Sequence, residues 1–450
     1  MRMIGIRKAT LILICFVVLA SPLRKILAAG PAFLRDIATD ATDPSNLADT
    51  EPSIAVDRFN PNRIAVVAFS ESATATIGAP VWKSDDGGLT WRKVFQLPQP
   101  GSGLSIPADQ KIAFDASGKL FVAVLSTDSL GVIRDFIYRQ TGAYDANLTP
   151  GQVYGDDQPQ LDIDASPTSF LTGQLYSPFL SFAGVRQQSS VAYSSDGGIT
   201  MTPVGVGDNS LFNNRTTRIA ISAFGPAFIV YKTREGTTSD PNFEFAHFRV
   251  QRSDNGGATW NVLGPSGVSV HGPAQVQTWF TNTWGAGAKV ARARSSDAWI
   301  ATDPGDVNVY VAYTNKDASG FGQIFVATSA DLGFTWTISR VTDGTHHSAF
   351  PNIAVAGNGA VGVLYVDYDA TGTYRQRFAR SFNHGSTWTE ETLQSFNPAA
   401  IPNAQNGFLW GDYQGLTAVG NIFYGVFTGQ SIGRSIVQFD PIFFTQSATP

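Results

Sequence analysis

Polar side chains precede seven apolar runs at similar places along the chain, and most of these positions carry a carboxylate. A pair of carboxyl groups about 5–9.5 Å apart can hydrolyse a glycosidic bond, whereas arginines hold an anionic group through paired hydrogen bonds. For any single position, the alternative is a side chain that caps the start of its strand. The set is Glu51, Asp109 with Gln110, Asp156-Asp157-Gln158, Arg215 with Arg218, Asp297, His346-His347 and Asp412-Tyr413.

The candidate roles follow from residue type. The catalytic candidates are Asp109, Asp157, Asp297 and Asp412 as carboxylates and Tyr413 as a nucleophile beside Asp412. The substrate-binding candidates are Glu51, Arg215, Arg218, Arg292, Arg294, Trp279 and Trp284. This hypothesis requires the seven strand-start positions to converge on one opening.

The apolar runs themselves repeat with a period that indicates the architecture. Their aligned Ile or Leu residues are separated by 58, 49, 58, 81, 53 and 63 residues, and each unit has room for four strands. Such a period predicts an all-β propeller of seven four-stranded blades, with six blades and an irregular extra sheet as the alternative. The aligned residues are Ile54, Ile112, Leu161, Ile219, Ile300, Ile353 and Leu416.

The seventh unit is short of one strand. It has two clear strands and a third predicted at residues 435–439, after which the chain nearly ends. We therefore expect residues 33–37 to add the outer strand of this blade and close the ring, since closure removes an open sheet edge.

Two longer connections are candidate rims of the opening. Residues 264–296 lie between the fourth and fifth units and carry His271, Trp279, Phe280, Trp284, Arg292 and Arg294 among glycines. Loops of this length are usually functional, and the alternative is a hydrophobic lid that plugs the channel. A second rim is predicted from Arg134 to Asp157, with Tyr138, Tyr144 and Tyr154.

An eight-residue pattern occurs five times: Ser, any residue, Asp or Asn, any residue, Gly, any residue, Thr, then Trp. Ser and Asp side chains bond nearby backbone N–H groups, and Gly accepts a positive φ, so each copy predicts a hairpin turn followed by a buried ring. We place it between the third and fourth strands of a blade. The copies are residues 84–91, 194–201, 253–260, 329–336 and 381–388, with Met201 in place of Trp in the second.

This pattern resembles the Asp box, or BNR repeat, of sialidases and other secreted β-propellers. In that family the box is a structural turn remote from the active site, so the resemblance implies fold more than function. Sialidases use three arginines on the substrate carboxylate, a Tyr nucleophile assisted by Glu, and an Asp acid/base. The present sequence lacks an Arg-Ile-Pro motif near its start and has seven predicted blades where sialidases have six, so no catalytic residue is carried over.

The N-terminus predicts export. Basic residues precede an apolar run from Ala9 to Ala20 that is too short to span a bilayer, as in a secretory signal. Cleavage after Ala20 or after Ala29 is compatible with the sequence, and an uncleaved anchor is the alternative. We assign residues 1–29 to the signal and 30–450 to a single propeller domain. Cys15 is the only cysteine, so the mature chain has no disulfide.

The composition and net charge limit the classes of molecule that the protein is expected to bind. The net charge is -5 with no Lys/Arg-dense stripe in the mature chain, which argues against nucleic acid. The sequence favours a secreted, monomeric, carbohydrate-active protein that hydrolyses glycans or glycoconjugates from their ends. It needs neither cofactor nor metal, and no membrane association follows signal cleavage. The alternative is a propeller that binds a glycan or protein without turnover.

Overall fold

The computed structural model describes residues 32–45, 47–71, 76–98, 103–142, 147–183, 188–206, 212–234, 245–263, 268–269, 274–275, 298–317, 321–369, 371–397, 401 and 413–450. Every regular element assigned in these ranges is a β-strand. In this part of the chain no helix has the length and apolar character needed to cross a membrane.

The strands are numbered in chain order, beginning with β1 (Phe33–Asp36). Blade 1 contains β2 (Ala48–Val56), β3 (Ile64–Glu71), β4 (Thr76–Ser84) and β5 (Arg92–Leu97). Blade 2 contains β6 (Ser105–Phe114), β7 (Leu120–Thr127), β8 (Ile133–Gln140) and β9 (Leu148–Gly155). Blade 3 contains β10 (Asp162–Ile163), β11 (Leu175–Ser181), β12 (Gln188–Ser194) and β13 (Thr202–Gly205).

Blade 4 contains β14 (Phe212–Ile221), β15 (Ala227–Arg234), β16 (Phe245–Ser253) and β17 (Asn261–Val262), with β18 (Val268–Ser269) and β19 (Ala274–Gln275) also paired to β16. Blade 5 contains β20 (Ala298–Thr302), β21 (Val309–Lys316), β22 (Gly322–Ser329) and β23 (Thr337–Arg340). Blade 6 contains β24 (His347–Val355), β25 (Val361–Tyr368), β26 (Tyr374–Ser381) and β27 (Thr389–Phe396). Blade 7 contains β28 (Gly415–Val419), β29 (Ile422–Gln430) and β30 (Phe439–Ser447).

Each blade is an antiparallel sheet in which consecutive strands are neighbours, and the seven-bladed prediction is confirmed. Buried apolar clusters fill the spaces between adjacent blades. One of them joins blades 1 and 2 through Ala55, Ile112 and Val122, and another joins blades 5 and 6 through Ala312 and Ile353. Burying each large aliphatic side chain contributes about 1.5–3 kcal/mol, so the contacts between blades hold the ring together.

The ring closes as the sequence predicts, by pairing the first strand with the last. In this pair Phe33 lies opposite Thr445 and Asp36 lies opposite Ile442. The prediction of a third strand at residues 435–439 is wrong, because the third strand of blade 7 is β30, which begins at Phe439. Ile436 and Val437 are both about two-fifths exposed, at 39% and 40%, so their apolar alternation is not buried by a partner sheet.

A buried charged cluster reinforces this closure. The guanidinium of Arg434 donates to the carbonyl of Ser45 at 2.6 Å and lies 3.6 Å from a carboxylate oxygen of Asp440. A carboxylate oxygen of Asp36 accepts from the backbone N–H of Ile432 at 2.6 Å. Burial raises the pKa of the carboxyl groups of Asp36, Asp49 and Asp440. We call Asp36, Asp49, Arg434 and Asp440 the closure cluster.

The five repeated turns lie between third and fourth strands, as expected. In the first, the hydroxyl of Ser84 accepts from Gly88 N–H at 2.9 Å, and Asp86 accepts from Thr90 N–H at 2.9 Å. The Trp91 indole N–H donates to the Gly88 carbonyl at 3.1 Å, which fixes the ring over the turn. Asn replaces Asp in two copies without loss of this bond, since its side-chain oxygen accepts from Thr259 or Thr387 N–H at 2.9 Å.

Candidate active site at the axial mouth

The first strand of every blade lines an axial cavity of about 280 Å³. Because consecutive strands are antiparallel, the start of a first strand and the turn after a third strand lie at opposite ends of the blade. The strand-start positions therefore lie on the face opposite the five repeated turns. We call this opening the axial mouth.

A backbone bulge recurs at the mouth, three residues before the aligned Ile or Leu. Glu51, Asp109, Gln158 and Phe350 have φ of 51°, 41°, 52° and 56°, a left-handed conformation that is uncommon for residues with a side chain. The β2–β3, β6–β7 and β24–β25 pairs shift register there. Bulges redirect side chains next to functional sites, and such backbone costs about 1–3 kcal/mol at each position.

Five side chains from blades 2, 4, 5 and 7 converge at this level, and we call them the axial cluster. Its members are Asp109, Lys111, Arg218, Trp299 and Tyr413. The Tyr413 hydroxyl donates to Asp109 Oδ1 at 3.4 Å. Lys111 Nζ lies 3.8 Å from the centre of the Tyr413 ring and 4.5 Å from that of Trp299.

Arg218 completes the cationic side of the cluster. Its guanidinium carbon lies 4.8 Å from the centre of the Trp299 ring and 5.8 Å from that of Tyr413, and the residue is 1% exposed. Two cations beside a tyrosine favour negative charge that develops on its oxygen.

Glu51 and Asp157 lie at the neighbouring corners. The Gln110 side chain donates to the backbone carbonyl of Glu51 at 2.8 Å, linking blades 1 and 2. The carbonyl of Asp157 accepts from Leu180 N–H at 2.8 Å, and Asp157 precedes β10 of blade 3. The backbones of Glu51 and Asp157 thus lie on the two blades that adjoin blade 2, which contributes Asp109 and Lys111 to the axial cluster.

The structure brings together Asp109, Arg218 and Tyr413 among the candidates proposed from sequence. Arg215 lies in β14 opposite Lys232, and its side chain is outside the described part of the structure. Tyr138 and Tyr154 of the second predicted rim are instead buried in apolar clusters. The remaining candidates lie outside the described residues: Asp297, Asp412, Trp279, Trp284, Arg292 and Arg294.

Three contributors were missed from the sequence. Lys111 and Trp299 occupy the position immediately before the aligned Ile, as Arg218 does, so aligning the units one residue later would have found both. Asp135 lies in β8, the third strand of blade 2, where no repeat points to it. It is fully buried, and burial followed by the charges of Asp157 and Asp109 raises its pKa well above the ordinary value.

A smaller cavity of about 110 Å³ adjoins the axial one at the opposite end. Asp162 borders both cavities. Burial raises the pKa of Asp162 to about 7, while the charge of Arg58 lowers it in part. Most other blades have alanine at this position in the repeat: Ala55, Ala113, Ala220, Ala301 and Ala354, with Thr417 in the seventh.

Replacing Asp162 with alanine is expected to stabilise the protein at pH 8. The raised pKa means that the contribution of Asp162 to stability is present below about pH 4 and is lost as the pH rises through about 7. The full shift corresponds to about 4 kcal/mol, which partial exposure reduces to about 1–2 kcal/mol. Urea unfolding at pH 4 and pH 8 measures the gain, which should be confined to pH 8.

The matched control for that variant is Asp115→Ala. Asp115 Oδ1 accepts from Ser117 N–H at 2.8 Å and from Lys119 N–H at 2.9 Å within the turn that follows the first strand of blade 2. Its removal should destabilise the protein at both pH values. Equal loss of stability in the two variants would contradict the interpretation of Asp162 as an unfavourable buried carboxyl group.

Among the described residues, no group of three or more His, Cys, Asp or Glu side chains is arranged to hold a metal ion. The side chains of the mouth supply a hydroxyl, carboxylates, two cations and an indole face.

Comparison with known proteins gives the fold and no family. No family model matches the sequence, and no curated protein matches it. An ulvan lyase from a new polysaccharide lyase family is similar in structure, with a TM-score of 0.54, 9% identity, and coverage of 92% of this chain and 96% of that chain. The structure of such a lyase bound to -[GlcA(1-4)Rha3S]- has a TM-score of 0.53, 10% identity, and 92% and 96% coverage.

The endosialidase of phage phi92 is also among the similar structures. Its TM-score is 0.48 at 10% identity, with coverage of 93% of this chain and 70% of that chain. At such identities the likeness concerns the propeller fold.

Proposed function

We propose that the chain is a secreted, carbohydrate-active propeller that hydrolyses glycans from their ends at the axial mouth. The observation that carries this proposal is the axial cluster, in which Tyr413, Asp109 and two cations from different blades meet, and of which Lys111 and Trp299 line the axial cavity. The cavity, at about 280 Å³, lies near the lower end of the range for ligand pockets and suits one terminal sugar unit.

The arrangement of Tyr413 supports a nucleophilic role. Its hydroxyl already donates to Asp109, which can accept the proton as the tyrosine oxygen attacks the anomeric carbon. Lys111 next to the ring stabilises the negative charge that develops on this oxygen. A neutral hydroxyl also avoids the repulsion that a carboxylate nucleophile would exert on an anionic sugar.

Asp157 is proposed as the acid/base on the adjoining blade. It would protonate the leaving oxygen in the first step and remove a proton from water in the second. Arg218 and Lys111 would hold an anionic group of the substrate, while the face of Trp299 offers an apolar surface to the sugar ring.

Elimination at a uronic acid is a second candidate. The two cations beside Tyr413 would neutralise the uronate carboxylate and acidify the adjacent carbon. Tyr413, after passing its own proton to Asp109, would remove the proton from this carbon. The glycosidic C–O bond would then break as Asp157 protonates the leaving oxygen, which leaves a carbon–carbon double bond in the product. One of the ulvan lyases of similar fold has -[GlcA(1-4)Rha3S]- bound, and this ligand contains a uronic acid. The same side chains thus support two reactions whose products differ.

The test is turnover of a broad panel of neutral and anionic glycans by the purified mature protein. New reducing ends without ultraviolet absorbance are expected for hydrolysis, and an absorbing unsaturated product would assign elimination. Asp157→Asn and Asp109→Asn should each lower kcat by about a hundredfold or more.

Asp331→Asn is the matched control, because Asn already fills the equivalent position in two other turns. It should leave turnover unchanged. Binding of a glycan with no product of either kind would replace the proposal with a non-catalytic binding function. If the protein showed no binding and no turnover with any glycan of the panel, both the catalytic and the binding function would be rejected.

Export remains a prediction from the N-terminal sequence. Expression of the full chain in a host that secretes it should yield a mature N-terminus after Ala20 or Ala29, as read by N-terminal sequencing. An unprocessed chain retained in the membrane fraction would favour the uncleaved anchor.

A further inference from the structure

Asp135 is a buried carboxyl group beneath the axial mouth, with a role that neither the fold nor the proposed reaction explains. Its exposure is 0%, and both of its side-chain oxygens are buried without a hydrogen-bond partner in acceptable geometry. Burying an unpaired carboxylate is costly, and a buried polar group of this kind calls for a specific explanation.

The surrounding backbone is shaped to admit this carboxyl group. Asp135 lies opposite Gly155 in the β8–β9 pair, where the register then shifts. A Cβ atom on Gly155 would lie 2.2 Å from Asp135 Oδ2 and 2.8 Å from the ring of Phe179. Glycine at 155 therefore leaves the space that the carboxyl group occupies.

Charged and titratable groups face Asp135 from each neighbouring element. Asp109 comes from β6, while Asp156 and Asp157 follow β9, and all three carboxylates oppose a negative charge on Asp135. Arg134 on the same strand forms an ion pair with Asp156. Tyr154 on β9 shares a hydrogen bond of 2.5 Å with the Ser177 hydroxyl.

These contacts favour the neutral acid. Burial and then the charge of Asp157 raise the pKa of Asp135, whereas the backbone N–H of Asp157 lowers it in part. Two neighbouring carboxyl groups do not both ionise readily, so Asp135 keeps its proton when Asp157 becomes a carboxylate.

We propose that Asp135 is a positioning residue of the mouth, a neutral carboxylic acid that shares its proton with Asp157. This inference rests on the proposed role of Asp157 as acid/base. When Asp157 gives its proton to the leaving oxygen, the Asp135 O–H donates a hydrogen bond to the resulting carboxylate. When Asp157 takes a proton from water, the original pair is restored, so Asp135 neither gains nor loses a proton over the cycle.

Infrared spectroscopy tests the shared proton without reference to turnover. At pH 7 the difference spectrum between the parent protein and Asp135→Asn should contain the carbonyl stretch of one protonated carboxyl group. The Asp157→Asn variant should keep that band and shift its frequency, because the partner of the proton has changed. Subtracting the spectra of variants from each other cancels the bands of the carboxyl groups in the closure cluster, because these groups are the same in every variant.

The absence of the band would overturn the proposal, whether or not the protein turns over a glycan. A band that is unchanged in Asp157→Asn would overturn the sharing with Asp157. These outcomes are separate from failure of the proposed function, which appears only as lack of product from the glycan panel.

Turnover adds a second readout. Asp135→Asn keeps a hydrogen-bond donor without a titratable proton, so kcat at pH 7 should stay within about threefold and the alkaline limb of the pH profile should move upward. Asp135→Val removes the donor and should lower kcat by about tenfold or more with little change in KM. Equal profiles for Asn, Val and the parent protein, with all three folded by thermal unfolding, would contradict the positioning role.

Discussion

The Tyr413→Phe variant is expected to lose about a thousandfold or more of the turnover of the parent protein, which corresponds to about 4 kcal/mol of transition-state stabilisation. The loss should appear in kcat, because the ring and its contacts with Lys111 and Arg218 remain and only the reacting oxygen is removed. Steady-state kinetics on the best substrate of the panel gives the measurement.

Stability should hardly change in the same variant. The hydrogen bond lost to Asp109 is long, at 3.4 Å, and contributes less than about 1 kcal/mol. Tyr193→Phe is the control, since Tyr193 lies in β12 near the repeated turn, at the opposite end of the blade. If Tyr413→Phe kept full turnover, the tyrosine would not be the nucleophile.

Replacing Arg434 with methionine is expected to lower the free energy of unfolding by about 3–5 kcal/mol. Its side chain is 1% exposed and is the cation that lies 3.6 Å from Asp440 in the closure cluster. Removal would leave the carboxyl groups of Asp36, Asp49 and Asp440 buried without this counter-charge. Urea unfolding should show the loss, together with earlier opening of β1 in hydrogen exchange.

The pH dependence of that loss has a definite sign. Burial raises the pKa of Asp36 to about 6, and the charge of Arg434 lowers it in part, so Asp36 ionises between pH 4 and pH 8 with Arg434 as its counter-charge. The Arg434→Met defect should therefore grow from pH 4 to pH 8. Burial and then the charges of Asp36 and Asp49 raise the pKa of Asp440, so its contribution to stability is present below about pH 4 and declines as the pH rises. Asp440→Asn in the parent protein should stabilise it at pH 8, and a pH-independent defect would contradict the electrostatic cause.

The repeats were sufficient to predict the scaffold because they determine both the turns within a blade and the position of each blade around the axis. The turn at residues 84–91 specifies where a third strand ends, and the spacing of residues such as Ile54 and Ile112 specifies where each first strand lies. The prediction for the last blade was wrong in one strand, because residues 435–439 have the residue pattern of a strand and only their exposure shows otherwise. Strand β30 was not predicted because it contains Pro441, which lacks the N–H that strands normally use.

The candidate site was predictable from the sequence only in part. Asp109, Arg218 and Tyr413 could be chosen because repeat position determines the end of the axis on which a residue lies. Asp135 could not, since its role depends on burial and on the gap left by Gly155, neither of which has a periodic signal. Sequence spacing locates the mouth, whereas the protonation and contacts of its side chains require the packed structure.

The central claim is that sugar is bound and cleaved at the axial mouth. A crystal structure of Tyr413→Phe with a glycan that the parent protein cleaves tests this most directly. The account predicts a terminal sugar ring over the axial cavity, with Asp109 and Arg218 within hydrogen-bond distance of it. A glycan bound only on the face of the repeated turns or along the outer strands would contradict the account.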